Sequence, residues 1–116
     1  MGRITDITSI DQADCLLASE QPVWLFKHSR TCNFTGSKLA LFEAFLDSRD
    51  KTAARVIVQD HRPVSNHIAE KLGVRHETPQ VLLIRNGQAL WDASHTKITD
   101  ESLAAAEADH ATTESS

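Results

Sequence analysis

The sequence predicts a single α/β domain built on a four-stranded mixed sheet with flanking helices. Amphipathic segments alternate with short, continuous apolar runs, which is the pattern of a sheet covered by helices. Asn86-Gly87 stands between two apolar runs and is the strongest short-range signal for a β-hairpin. The length of 116 residues suits one compact core and excludes a multi-domain enzyme.

A capping box opens the first predicted helix, because Ser9 is followed three positions later by Gln12. The apolar residues on one face of this helix are Ile10, Ala13, Leu16 and Leu17. These signals predict a helix over residues 10–19, which Gln21-Pro22 ends. The continuous apolar run at 23–26 then predicts a strand buried on both faces.

The second predicted helix begins near Cys32 and extends to Asp47. Its apolar residues, spaced three and four apart, are Phe34, Leu41, Phe42, Phe45 and Leu46. The β-branched segment 55–59 predicts the second strand, and 64–72 predicts a third helix with Gly73 as its C-cap. The first two strands are therefore expected to be parallel and joined by a right-handed crossover.

The last third of the domain predicts a hairpin and a final helix. After Pro79, strands over 81–84 and 88–93 are expected to be antiparallel, and Thr99 with Ser102 opens a helix. Three of the 16 acidic residues lie in the last ten positions, which contain no Lys or Arg. We therefore expect the domain over 1–106 and a flexible acidic tail over 107–116.

Composition excludes several classes of function. With 12 basic and 16 acidic residues the net charge is −4, which argues against a nucleic-acid partner bound through counterion release. No apolar run approaches the ~20 residues of a membrane span, so no membrane association is expected. Two cysteines are too few for a disulfide scaffold, and the N-terminus lacks a signal-peptide layout, so a cytoplasmic location is expected.

Cys32 is the candidate reactive group because it falls where a strand ends and a helix begins. Unpaired backbone N–H groups and the helix dipole stabilise a thiolate there, and Lys27, His28 and Arg30 add positive charge nearby. These features predict a lowered thiol pKa for Cys32. The alternative is a small buried hydrophobic residue.

The second cysteine and the six histidines carry weaker signals. Cys15 lies almost opposite the apolar stripe of the first helix, which predicts an exposed bystander, although a resolving role stays open. The histidines lack tight ligand spacing, so no metal site is expected. Hydrogen bonds from His76 and His95 to backbone groups at the end of the sheet are the alternative use of these rings.

Five short strings, in order, resemble the monothiol bacilliredoxin family, thioredoxin-fold proteins of the bacillithiol system. They are Phe26-Lys27-His28-Ser29, Thr31-Cys32, Arg62-Pro63-Val64-Ser65-Asn66, His76-Glu77-Thr78-Pro79-Gln80, and Trp91 with Ser94-His95. The resemblance runs from about Ile4 to Leu103. It implies a thioredoxin-like fold with Cys32 as the single redox cysteine.

The resemblance also implies a cis Thr78-Pro79 peptide bond that faces Cys32, with Thr78 offering its backbone to an extended substrate segment. From the residues alone, Pro79 would instead be a trans proline at the start of an edge strand. Asn33-Phe34-Thr35 departs from the proline, aliphatic residue and serine usual in the family, and Asn33 restores a backbone donor beside the sulfur.

The expected site therefore has three groups of residues. Cys32 is catalytic. The substrate-binding residues are Thr31, Asn33, Thr78 and Pro79, and the thiolate-stabilising residues are Lys27 and Thr35. No metal is assigned to this site.

Thr35 occupies the position of the second thiol in two-cysteine exchangers, so the expected mechanism is monothiol. The Cys32 thiolate would attack a mixed disulfide between a client protein and a low-molecular-weight thiol, take up the small thiol and free the client. We therefore expect S-thiolated client proteins as partners, bacillithiol or a similar thiol as co-substrate, no bound cofactor, and a monomer or weak dimer.

Two alternatives belong to other functional classes. Cys32-Asn33-Phe34-Thr35 also resembles the CGFS string of monothiol glutaredoxins, which share an iron–sulfur cluster between two subunits. One cysteine per chain holds such a cluster only in a dimer with two external thiols. The other alternative is a non-enzymatic binding module that uses the open end of the sheet.

Overall fold

A five-stranded mixed sheet forms the centre of the molecule. The computed structural model describes residues 3–30, 33–49 and 51–111 of the chain. The strands are β1 (Arg3–Asp6), β2 (Val23–His28), β3 (Thr52–Ile57), β4 (Gln80–Arg85) and β5 (Gln88–Ser94). Their order across the sheet is β1-β3-β2-β4-β5, which places β2 at the centre.

Within the described residues, four α-helices cover the two faces of this sheet. They are α1 (Ile10–Leu17), α2 (Asn33–Arg49), α3 (Arg62–Leu72) and α4 (Asp100–Ala106). Buried residues of α2 and α4 pack with alternate residues of β2 on one face, and those of α1 and α3 pack on the other. Because successive residues of a strand point to opposite faces, Trp24 and Phe26 face α2, whereas Leu25 faces α3.

The strand pairings agree with the predicted topology. β2 and β3 are parallel, with Trp24 opposite Ala53, and β4 forms an antiparallel hairpin with β5. Asn86 and Gly87 in the hairpin turn have φ angles of 51° and 74°, the positive values that a type I′ turn needs. β4 also pairs with β2 in the antiparallel sense, and this places Lys27 opposite Gln80.

The sheet has one strand more than the four predicted. β1 pairs in parallel with β3, and Ile4 lies opposite Ala53. A four-residue edge strand with one described apolar side chain leaves no run for periodicity to detect. Tertiary contacts hold it instead, since the Arg55 guanidinium on β3 donates to Asp6 at 2.7 Å.

Aromatic rings between the sheet and α2 form the centre of one core. Trp24 meets Phe42 and Phe45 edge to face at centroid distances of 6.0 and 5.4 Å. Phe26 stacks on Phe42 at 5.6 Å. Burial of one such ring contributes about 1.5–3 kcal/mol, so this cluster holds α2 firmly against β2.

Helix α1 differs in detail from the prediction. It ends at Leu17, two residues early, and Ile10 from the predicted apolar stripe is 42% exposed. Ser9 accepts from the Gln12 amide as expected, whereas the Gln12 side chain accepts from the amide of Thr8. The reciprocal bond of the capping box is thus displaced by one residue.

The chain continues in helical geometry beyond α4. Residues Glu107–Ala111, assigned above to the tail, form a turn of π-helix. Glu107 accepts from Arg49 of α2 at 2.7 Å. Residues 112–116 of the expected tail lie outside the described residues. No helix in the described ranges is long and apolar enough to cross a membrane.

Candidate functional site

The predicted reactive cysteine follows the carboxyl end of β2, and α2 begins at Asn33, the next residue in the chain. The prediction that this helix starts within a residue of Cys32 is therefore confirmed. Thr31 and Cys32 themselves lie outside the described residues, as do the side chains of Asn33 and Thr35. The roles assigned to these four residues remain predictions.

Lys27 is a fully buried cation at this end of the sheet. Strand alternation turns its side chain toward α3, and its Nζ lies 3.3 Å from Nδ1 of His76. Within the described part of the chain, no carboxylate pairs with it. Burial lowers the pKa of Lys27 to about 8, because the charged ammonium loses its hydration.

His76 connects Lys27 to helix α3. Its Nδ1 also lies 3.3 Å from Oγ of Ser65, a fully buried residue of α3. Burial lowers the pKa of His76, and the charges of Lys27 and Arg62 lower it further against the opposing effect of Glu77. The ring is therefore neutral at pH 7 and accepts from the ammonium, in contrast to the backbone bonding considered from the sequence.

Gln80 completes what we call the buried polar cluster, which consists of Lys27, Ser65, His76 and Gln80. It lies opposite Lys27 in the sheet, and its side chain is 1% exposed. Its Nε2 donates to the Arg75 carbonyl at 3.1 Å, and its Oε1 has no partner among the described residues. A buried acceptor without a described partner is rare in native proteins, so this cluster is a candidate for a role beyond packing.

The loop that precedes β4 contains the expected cis bond between Thr78 and Pro79. Pro79 is therefore not the trans proline of an edge strand, and β4 itself lies between β2 and β5. His95 holds this loop from the end of β5. Its Nε2 lies 3.0 Å from the Thr78 carbonyl, and its amide donates to the Pro79 carbonyl at 3.1 Å.

His95 adopts a positive φ of 54°, a conformation that is uncommon for a residue with a side chain. Because a carbonyl oxygen only accepts, its contact with Thr78 places the ring proton on Nε2. This interaction matches the expectation that His95 bonds a backbone group. The side chain thus orients the carbonyl of a predicted substrate-binding residue.

The loop between β2 and Cys32 is anchored to the end of β3. The Arg30 guanidinium donates to both carboxylate oxygens of Asp60, at 2.6 and 3.0 Å. The Arg30 amide donates to Gln59, whose own amide group donates to Ser29 at 2.8 Å. These bonds fix the path of the chain as it leaves β2.

These contacts revise the positive charge predicted beside Cys32. Asp60 balances the charge of Arg30. Burial lowers the pKa of His28, with Arg55 and Arg30 adding to this effect against Asp6, so its imidazole is neutral at pH 7. Of the three predicted cations, Lys27 is the one that keeps a charge with no carboxylate partner in the described ranges of the chain.

The other predictions concern residues away from this end of the sheet. Cys15 is exposed on α1, as predicted. The described residues contain no group of three or more His, Cys, Asp or Glu side chains that could hold a metal ion. The sequence did not identify Ser65 and Gln80 as site residues, although both belong to the strings that carried the resemblance.

Comparison with known proteins identifies the family to which this chain belongs. A sequence model described as monothiol bacilliredoxin BrxC matches residues 5–103. A solved structure titled "A putative oxidoreductase with a thioredoxin fold" is 36% identical, with a TM-score of 0.83, and the match covers 90% of this chain and 93% of that one.

Two thioredoxins have lower sequence identity to this chain, and their similarity shows the fold alone. The thioredoxin Mala s 13 of Malassezia sympodialis is 23% identical with a TM-score of 0.77, over 96% of this chain and 93% of its own. The thioredoxin of Trypanosoma brucei brucei is 12% identical with a TM-score of 0.74, over 91% and 88%. The chain therefore has the thioredoxin fold and belongs to the monothiol bacilliredoxin family of thiol oxidoreductases.

Proposed function

We propose that this protein removes a low-molecular-weight thiol, bacillithiol or a similar thiol, from mixed disulfides on client proteins in the cytoplasm. The observation that carries the proposal is the buried Lys27 ammonium at the end of β2 that leads to Cys32, which has no carboxylate partner among the residues that the structure describes. A thiolate on Cys32 would supply the missing negative charge, and the ammonium would in turn favour that thiolate.

The reaction is a thiol–disulfide exchange. The Cys32 thiolate attacks the sulfur of the small thiol, forms a new S–S bond with it and breaks its bond to the client. The client sulfur leaves as a thiolate and takes up a proton. A second molecule of small thiol or a reductase then attacks the new disulfide and returns Cys32 to the thiolate, without any cofactor bound to the protein.

The loop before β4 is the proposed docking edge for the client. Thr78 and Pro79 directly precede β4, and His95 fixes the Thr78 carbonyl in place. An extended substrate segment would add along this backbone as a further strand. Thr31 and Asn33 would complete the binding site, and Thr35 would donate to the sulfur.

The test uses a client peptide carrying bacillithiol, glutathione or coenzyme A through a disulfide. We expect release of the client thiol, and mass spectrometry should detect the small thiol on Cys32. Cys32→Ser should abolish release, whereas the matched variant Cys15→Ser should retain it. Comparison of the three peptides identifies the preferred small thiol.

Two outcomes would count against the proposal. Release that survives in Cys32→Ser would leave the exchange without its nucleophile. A dominant Cys15–Cys32 disulfide in the oxidised protein would replace the monothiol mechanism with a two-cysteine one.

A further inference from the structure

The buried polar cluster holds a positive charge in surroundings that do not tolerate one. Lys27 is 0% exposed, and its described partner is the neutral ring of His76. Ser65 and Gln80 bring dipoles but no charge, and Val56 is the adjacent residue of β3. An isolated ammonium in such a site is costly, so the cluster favours states in which the net charge nearby is zero.

The position of the cluster identifies the group that can balance this charge. Lys27 is the penultimate residue of β2, five positions before Cys32. Its side chain reaches His76, two positions before Thr78, and its partner across the sheet is Gln80, the residue after Pro79. The ammonium thus lies at the end of the sheet that carries the proposed docking edge, and β2 leads from there to Cys32 in the sequence.

We propose that Lys27 is a redox-linked proton site, which keeps its proton while Cys32 is a thiolate and releases it through His76 when Cys32 enters a mixed disulfide. This inference rests on the proposed function only for the assignment of Cys32 as the redox cysteine. The thiolate and ammonium lose their charges together, so the site stays neutral in both states.

The exchange balances in atoms and charge. The Cys32 thiolate, the Lys27 ammonium and the client mixed disulfide give the Cys32 mixed disulfide, a neutral Lys27 amine and the client thiol. One S–S bond breaks and one forms. The proton from Lys27 neutralises the departing client thiolate, and the reverse transfer restores the ammonium when Cys32 is reduced.

His76 is the positioning residue of this redox-linked proton site. Its ring is half-buried, and its Nδ1 lies 3.3 Å from Nζ of Lys27 and 3.3 Å from Oγ of Ser65. The charged groups that act on the ring are Arg62 at the start of α3 and Glu77 in the loop before β4. Burial alone lowers the pKa of Lys27 to about 8, and a thiolate nearby would raise it again, so loss of that thiolate charge favours release of the lysine proton.

The experiment reads Lys27 directly by NMR titration of its labelled side chain in Cys15→Ser protein. Reduced protein is compared with protein whose Cys32 carries a methylthio group from methyl methanethiosulfonate, and Lys27→Arg identifies the signal. We expect the Lys27 midpoint to fall by about one pH unit or more on modification. Equal midpoints in the two forms would overturn the proposal.

The coupling must be reciprocal, which gives a second readout. Lys27→Met should raise the Cys32 thiol midpoint, measured by thiolate absorbance, by the same amount that modification lowers the Lys27 midpoint. Lys27→Arg should keep the thiolate but release no proton on modification, because arginine does not deprotonate in proteins. A proton released by the Lys27→Arg protein would contradict the assignment.

Variants of His76 test positioning. His76→Leu removes the Nδ1 acceptor and should shrink the Lys27 midpoint shift, whereas His76→Asn keeps an acceptor nearby and should restore it. The matched control His67→Asn alters a second histidine on this side of the molecule, which lies 2.6 Å from Asp14, and should leave the shift unchanged. If the Lys27 midpoint shifts by the full amount in the His76→Leu protein, His76 does not position the Lys27 ammonium.

These midpoints need no client protein, so the two proposals fail separately. A coupled Lys27 without exchange would refute only the proposed function, and exchange with an uncoupled Lys27 would refute only the proton site.

Discussion

The Nζ atom of Lys27 lies 3.3 Å from Nδ1 of His76, and the lysine is fully buried. Buried lysines in proteins usually pair with carboxylates, because an unbalanced ammonium loses several kcal/mol of hydration. Here the partner is a neutral imidazole whose own pKa is lowered, first by burial and then by Lys27 itself. Without a nearby anion, the pair therefore lowers the stability of the folded protein. Residues with strongly shifted pKa values are common at functional sites.

Lys27→Met should stabilise the fold near neutral pH, in a Cys32→Ser background that lacks the thiolate. The folded pKa of Lys27 is about 8 against an ordinary value of 10.5, so the unfolded chain binds more protons between these values. Stability of the lysine protein therefore rises as the pH increases from about 8 to 10.5. Below pH 8 the full cost applies, and it amounts to at most about 3 kcal/mol.

Urea unfolding of both proteins at pH 7 and pH 10 checks this prediction. The Lys27→Met protein should have the higher free energy of unfolding at pH 7, and most of this difference should disappear at pH 10. Lys51→Met replaces an exposed lysine and should show no such gap. A stability difference between the two proteins that does not depend on pH would contradict the lowered pKa of Lys27.

His95→Gly should weaken substrate binding without disturbing the backbone. Glycine adopts the positive φ of 54° freely, so this variant removes the contact with the Thr78 carbonyl and keeps the amide bond to Pro79. One hydrogen bond is worth about 1 kcal/mol, so KM for a mixed-disulfide peptide should rise about fivefold with little change in kcat.

Steady-state kinetics of His95→Gly and His95→Asn separate the ring from the backbone. Asparagine also tolerates positive φ. His95→Asn should therefore raise KM as His95→Gly does, unless the asparagine side-chain amide reaches the Thr78 carbonyl. An unchanged KM in both variants would show that the Thr78 carbonyl needs no support.

Asp6→Asn should weaken the attachment of β1 in a manner that depends on pH. The hydrogen bond from Arg55 lowers the pKa of Asp6 below its ordinary value of 3.8. The stabilisation is therefore present above about pH 4 and is lost as the pH falls through the folded pKa. Since the carboxylate is 46% exposed, the neutral-pH loss should stay under about 1 kcal/mol.

Urea unfolding at pH 7 and pH 2.5 measures the difference between Asp6→Asn and the parent protein. The difference should vanish at the acidic pH. Glu70→Gln, at an exposed position of α3, is the control and should change stability little at either pH. An equal loss of stability at pH 7 and at pH 2.5 would mean that packing, and not the charge of Asp6, causes the effect.

Phe42→Ala should be among the most destabilising single changes. The ring is fully buried, stacks on Phe26 and meets Trp24 edge to face. Its removal leaves a cavity between α2 and the sheet, with an expected loss of about 3–5 kcal/mol. Phe42→Leu should lose less, and the exposed neighbour Glu43→Ala should lose under about 0.5 kcal/mol in urea unfolding.

Much of the fold follows from local patterns in the sequence. Apolar periodicity located four strands and four helices, Asn86-Gly87 located the hairpin, and Gly73 ended α3 with a φ of 66° as expected of a C-cap. Periodicity reports which face of a segment is buried, so it succeeds for long segments. It misses β1, whose four residues are held by β3.

The sequence by itself determined the α/β class, the family and the identity of Cys32 as the candidate nucleophile, since each is written in short strings of adjacent residues. Only the tertiary structure decided the environment of Lys27. Its partner His76 is 49 positions away, and Ser65 and Gln80 arrive from α3 and β4. Burial and hydrogen bonding between distant segments set the charge of a side chain, and no local pattern encodes them.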